Sequence, residues 1–187
     1  MQLMKTQLIK DILVSEPDGR LVTICGWVRT KRDSKNLCFI QVNDGSCFAT
    51  IQLTFDRENA NPNNENIENT LPNVTTGASI KATGKLIPSP ASGQAVEVAL
   101  ETLEVLGVSP SDYPLQKKGH TVEFLRENSH LRARTNMFGA VARMRSEMAF
   151  AVHSFFQEKG FFYFNAPLIT CSDCEGAGEM FQVTTLD

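Results

Sequence analysis

The sequence predicts an α+β chain in two parts: an N-terminal five-stranded β-barrel, then the opening helix–strand unit of a second domain that is incomplete. Three observations carry this. Residues 20–106 alternate apolar and polar positions in five runs separated by turn residues. Residues 107–120, GVSPSDYPLQKKGH, are rich in Gly, Pro and Ser and read as a linker. Beyond Thr121 the apolar spacing takes the period of a helix, and one helix with one strand leaves an apolar face with nothing to cover it. The expected boundaries are 1–106 for the barrel, 107–120 for the linker and 121–187 for the incomplete unit.

The N-terminal stretch has Lys10 and Asp11 inside its apolar run, so it reads as a short amphipathic helix rather than a secretory signal. RLVTICGWVRT (20–30) reads as a long strand and NLCFIQV (36–42) as a second. NDGS (43–46) is a turn, because Asn, Asp and Gly tolerate the positive φ of tight turns, and CFATIQLTF (47–55) follows as the third strand. The polar, Asn-rich segment 56–75 holds a short helix near 64–71. GASIKATGKLI (77–87) and QAVEVALETLEVL (94–106) complete the five strands. Five strands with a helix or loop between the third and fourth is the layout of an OB-fold barrel, though a fold by itself does not name its ligand.

In the second part Met137, Val141, Met144, Met148, Ala151 and Phe155 fall on one helical stripe, Thr135 or Asn136 can cap its start and Gly160 can end it. FFYFNAPLIT (161–170) reads as a strand closed by Pro167.

Composition bounds the function. Of 187 residues, 42% are hydrophobic and 21% charged, enough for a sizeable core. The net charge of −3 excludes a wholly basic nucleic-acid glove, so any RNA contact must be a local patch. Five cysteines without a secretory signal indicate reduced thiols and a cytoplasmic location. No apolar run approaches the roughly 20 residues that span a bilayer, so no membrane partner is expected.

The first hairpin carries Arg29, Lys31, Arg32 and Lys35, with Phe39 on the second strand and Gln52 on the third. A basic rim beside an aromatic ring and an amide suits single-stranded RNA: cations neutralise phosphates, the ring stacks on a base and the amide reads a base edge. The same pattern also allows Phe39 to fill the barrel and the cations to form a solvated hairpin.

These residues resemble a known family. CGWVRTKRDSKNLCFIQVNDGS (25–46) resembles the anticodon-binding barrel of the class II aminoacyl-tRNA synthetases for Asp, Asn and Lys. YPLQKKGHTVEFLRENSHLRARTNMFGAVARMRS (113–146) and SDCEGAGEMF (172–181) narrow the likeness to the asparaginyl members. The resemblance implies that Phe39 stacks the middle anticodon base, that Gln52 hydrogen-bonds it and that Arg32 contacts the anticodon. It implies that Gly160 through Pro167 are the first class II signature, a dimer-interface element, so a homodimer is expected of the complete enzyme. It further implies a reaction in which asparagine is activated with ATP and Mg²⁺ and transferred to tRNA(Asn).

The second class II signature, an Arg-x-Glu, and the Gly-rich, Glu-Arg-ended third are both read as absent from residues 1–187; FLREN (124–128) carries Arg-Glu but lies before the first signature and lacks the spacing. No catalytic residue is therefore assigned, and the chain alone is expected to be inactive and to hold no cofactor tightly. Other readings are a non-catalytic OB-fold RNA-binding module and an aspartyl-type or non-discriminating relative. The stretch TCSDCEGAGEMFQ (170–182) has a Cys171-x-x-Cys174 pair with no second Cys or His pair, so no metal is assigned to it. Its three acidic residues would repel phosphate, and on pattern alone it is a solvated loop. The resemblance makes it a loop beside the amino-acid pocket, with Glu175 facing the substrate ammonium and Gly176, Ala177 and Gly178 letting it close.

Overall fold

The structure, a computed structural model, describes residues 6–59, 61–91, 93–167, 169, 181 and 184. Five strands close into a barrel in the order β1-β2-β3-β5-β4: β1 Leu21–Asp33, β2 Leu37–Asn43, β3 Ile51–Asp56, β4 Ser79–Pro88 and β5 Val96–Gly107. The β3–β5 pairing is parallel and the others are antiparallel.

β1 is long because it serves two partners. Its first half, Leu21 to Trp27, pairs with β4, and its second half, from Trp27, pairs with β2. The crossover needs Gly26: a Cβ there would lie 2.7 Å from Val42 Cγ1 and 2.9 Å from the Asn43 carbonyl oxygen. One residue on, the β1–β2 register shifts. Val28 faces Val42 and Thr30 faces Gln41, so Arg29 is an extra residue, a β-bulge.

The core is the inward row of each strand, with Val22, Ile24, Ile40, Leu53, Phe55 and Val98 among its buried members. Burying each such side chain stabilises the fold by roughly 1.5–3 kcal/mol. α1 is the short amphipathic helix expected, a single turn over Ile9–Ile12, and it buries both isoleucines in the barrel core. Its cap comes from afar: the Ile9 N–H donates to Asp44 Oδ2 at 2.9 Å and the Lys10 N–H to Ser46 Oγ at 3.1 Å.

The third strand starts at Ile51 and not at Cys47. The Asn43 side-chain amide donates to the carbonyls of Cys47 (2.9 Å) and Ala49 (2.7 Å), so a side chain takes these acceptors instead of a ladder. The turn predicted at NDGS does form, with Gly45 at φ +81, and opens into a longer loop. The short helix is α2, Asn64–Thr70, held to the barrel by Ile67, with Leu71 and Val74 buried just beyond it. Asn61 and Asn63 donate to the Glu101 carbonyl at 3.1 Å each, which explains part of this segment's Asn content. Arg57 ties the region together, pairing with Glu68 through Nε, with Asp33 Oδ1 at 2.9 Å and with the Ser34 carbonyl at 2.6 Å.

The helical pattern after Thr121 divides. α3, Val122–Glu127, is capped by the Thr121 hydroxyl and ends at Asn128, whose side chain bonds the Phe124 carbonyl at 2.9 Å. A 3₁₀ turn at Arg132–Arg134 precedes α4, Asn136–Glu158. Gly160, at φ +81, ends α4. Its N–H reaches the Gln157 carbonyl (2.9 Å) and the Phe161 N–H reaches that of Phe156 (3.0 Å), the paired bonds of a Schellman close. α4 buries none of its residues, and its stripe is open to solvent, from Val141 at 46% to Met144 at 63%. Residues 161–167 form no strand, contrary to the pattern. A strand exists only as half of a ladder, and none of the described residues pairs with them. The chain forms two compact units, residues 1–142 and 143–187.

Candidate nucleic-acid interface

Along β2 the buried residues are Cys38, Ile40 and Val42, so Leu37, Phe39, Gln41 and Asn43 face outward. Phe39 is therefore not barrel core; Phe55, with 2% exposure, is. The ladders bring the predicted residues onto one outer face. Arg32 stands opposite Phe39, Phe39 opposite Thr54 and Gln41 opposite Gln52, which makes Phe39 and Gln52 diagonal neighbours. The Arg32 guanidinium carbon lies 5.5 Å from the Phe39 ring centroid. This holds the cation beside the ring, at a separation that favours cation–π attraction.

A polar row runs across the same face. Thr30 Oγ1 donates to Gln41 Oε1 at 3.1 Å. Gln52 Nε2 donates to Glu97 Oε2 at 3.0 Å, with both residues buried. The same carboxylate oxygen accepts from Ser89 Oγ (3.1 Å) and Gln94 Nε2 (3.4 Å). Thr54 Oγ1 is buried with no hydrogen-bond partner among the described residues. The face thus offers a ring for stacking, a guanidinium for phosphate or base contact, and a graded set of amide, carboxylate and hydroxyl groups for base edges. Pattern reading missed Glu97, Gln41 and Thr54. The alternation VEVAL does set Glu97 apart from the inward Val98, but nothing in it shows that β5 lies beside β3.

The basic run is divided by the fold. Arg32 belongs to the outer face and Lys35 is exposed at the hairpin tip. Lys31 donates to the Leu71 carbonyl at 2.7 Å. Arg29 donates to the Arg134 carbonyl and, at 3.4 Å, to Asn136 Oδ1. Two of the four cations are therefore taken up inside the protein and do not form a continuous rim. Beneath the face, burial first and the Asp33 charge second push the Cys38 thiol up to about 11. Arg57 holds its proton more tightly than a free guanidinium because Glu68, then Asp33, accept hydrogen bonds from it. Gly160 and Pro167 are described and exposed; Glu175, Gly176, Ala177, Gly178, Cys171 and Cys174 lie outside the described residues.

Comparison with known proteins finds relatives for both parts of the chain. The OB-fold nucleic acid binding domain family matches residues 22–106, and the class II (D, K and N) tRNA synthetases match residues 121–186. An asparagine–tRNA ligase of Treponema denticola is 60% identical over 96% of this chain and 38% of its own length. One from Phocaeicola vulgatus is 54% identical over 95% of this chain and 37% of its own. The chain thus spans well under half the length of the curated relatives it matches. The crystal structure of asparaginyl-tRNA synthetase from Pyrococcus horikoshii superposes with a TM-score of 0.76 over 90% of this chain and 39% of that one; at 19% identity it speaks for the fold alone. With an OB barrel followed by the start of a class II catalytic domain, the chain belongs to the class II (D, K and N) tRNA synthetases and corresponds to the N-terminal portion of the asparaginyl type.

Proposed function

We propose that this chain is the anticodon-binding part of an asparagine–tRNA ligase, with the outer face of β1, β2 and β3 receiving the anticodon of tRNA(Asn). The observation that carries it is the gathering of Arg32, Phe39 and Gln52 on one face. In this reading Phe39 stacks the middle anticodon base, Gln52 bonds its edge, Arg32 contacts the strand beside it and Glu97 accepts from base N–H donors. Titrating an Asn anticodon stem-loop into the protein and its Phe39→Ala variant tests it. Stacking predicts a loss of about 1–3 kcal/mol, and equal affinity would remove Phe39 from the site.

The complete protein, in this reading, activates asparagine with ATP and Mg²⁺ and charges tRNA(Asn) in the cytoplasm. Mg²⁺ there would polarise the reacting phosphate. Among the described residues no three His, Cys, Asp or Glu side chains are placed to hold a metal ion. Arg145-Ser146-Glu147 spells Arg-x-Glu but lies inside α4, ahead of Pro167. Glu175 is assigned to the substrate ammonium on the likeness of its loop. The exposed α4 stripe, with Gly160 and Pro167 after it, is proposed to be covered by a second copy in the complete enzyme, since an apolar stripe of this kind is seldom left open to water. No described helix is long and apolar enough to cross a membrane.

A further inference from the structure

The Arg29 bulge has two consequences. The extra residue inverts the facing of everything after it in β1, since a one-residue shift swaps the two sides of a strand. Val28 lies opposite the inward Val42; past the bulge, Thr30 and Arg32 lie opposite the outward Gln41 and Phe39. Without the insertion Arg32 would share the parity of Val28 and leave the face. The second consequence is where Arg29 itself goes. Relieved of a ladder partner, its guanidinium donates to the Arg134 carbonyl and to Asn136 Oδ1 (3.4 Å), at the residue that starts α4.

The same segment is gripped at neighbouring points. The Arg134 guanidinium carbon lies 4.6 Å from the Trp27 ring centroid, and Arg134 Nη1 donates to the Tyr113 hydroxyl at 3.4 Å. A side chain added at Gly139 would come within 3.7 Å of Phe48 Cε1. Strand β1 therefore carries, three residues apart, a residue of the RNA face and a residue that holds the first turn of α4.

We propose that Arg29 is a positioning residue: it fixes the start of α4 to the strand that carries Arg32, so that a tRNA held at the anticodon face reaches the catalytic module in register. This rests on the anticodon-binding reading above. It gives Arg29 no contact with RNA and no part in asparagine activation.

The test uses the full-length enzyme with Arg29→Ala and, separately, Asn136→Ala, which removes one of the two acceptors of Arg29, keeps the bond to the Arg134 carbonyl and leaves the bulge intact. Three quantities are measured: affinity for an isolated Asn anticodon stem-loop, tRNA-free asparagine-dependent pyrophosphate exchange, and charging of whole tRNA. The expected result for both variants is unchanged stem-loop affinity and exchange, with kcat/KM for charging lowered about ten-fold or more in Arg29→Ala, the size that a small misplacement produces, and by a smaller factor in Asn136→Ala, which keeps the Arg134 bond. The double variant should be no worse than Arg29→Ala, because Arg29→Ala already removes the one hydrogen bond that Asn136→Ala deletes. Unchanged charging overturns the proposal. So does a parallel loss of stem-loop affinity in Arg29→Ala alone, which would make Arg29 an RNA contact, or a loss of exchange, which would make it a general support of the fold. Failure of the wild-type protein to bind the stem-loop would instead overturn the anticodon reading.

Discussion

Gln52 donates to Glu97 at 3.0 Å, and both residues are more than nine-tenths buried although they belong to the outward row of the barrel. The turn that carries Ser89 and Gln94 covers the carboxylate and adds two donors to it. A carboxylate held this way is oriented before any ligand arrives. Glu97→Ala leaves the Gln52 amide buried without its acceptor, so the urea midpoint should fall by an amount equivalent to about 1–3 kcal/mol. Stem-loop affinity should fall as well. An unchanged midpoint would mean that the network contributes nothing to stability.

Phe39 and Phe55 occupy opposite sides of the barrel wall and so carry opposite predictions. Phe39 is outward and half-buried under Arg32; Phe55 is in the core. Phe55→Ala should cost about 3–5 kcal/mol of stability, whereas Phe39→Ala should leave the denaturation midpoint nearly unchanged while weakening RNA binding. The reverse pattern would put Phe39 in the core.

Asp44 gives α1 a pH-sensitive cap. Burial pushes its carboxyl up, but hydrogen bonds from the Ser46 hydroxyl and from the Ile9 and Ser46 N–H groups outweigh this and hold it below its ordinary value. A group whose value is lowered by folding contributes stability above its unfolded value of about 3.9, and loses it as pH falls through the lower folded value. Wild type should therefore exceed Asp44→Ala in stability at neutral pH, and the gap should close on acidification below about pH 4. A gap independent of pH would show that the cap does not titrate.

Cys38 is fully buried and its thiol is pushed up to about 11. Since the thiolate is the nucleophile, alkylation at pH 8 should reach the half-exposed Cys25 and Cys47 first. Cys38 should be labelled only on unfolding, which mass spectrometry of the modified peptides would follow. Early labelling of Cys38 would contradict its place in the core.

The α4 stripe predicts a concentration-dependent assembly of the complete enzyme. Met144 and Met148 are 63% and 57% exposed. Met144→Glu with Met148→Glu should shift the full-length enzyme from dimer to monomer in sedimentation, without unfolding the barrel. An unshifted dimer would exclude the stripe from the contact.

Much of this was legible in the residues. Period-two alternation located all five strands, and Gly160 signalled the end of α4. These features depend on local backbone preference and on side-chain spacing, which sequence records directly. Other features were not legible. Both Leu37 and Phe39 are apolar, so alternation could not say which side of β2 faces inward. The start of β3 was misplaced because the Asn43 amide takes backbone acceptors that the pattern left to a ladder. The strand at 161–170 was read from its aromatic residues, but a strand is a paired state and the described residues supply no pair.

The sequence by itself determined the barrel, the long helix and the identity of Arg32, Phe39 and Gln52 as residues worth joining. Only the tertiary structure decided that they share a face. That depends on one inserted residue, Arg29, which turns Arg32 outward and is itself spent on the start of α4. The pairing of Gln52 with Glu97 belongs to the same class. It arises where β5 closes the barrel against β3, and a contact made by closure joins positions 45 residues apart that no local pattern relates.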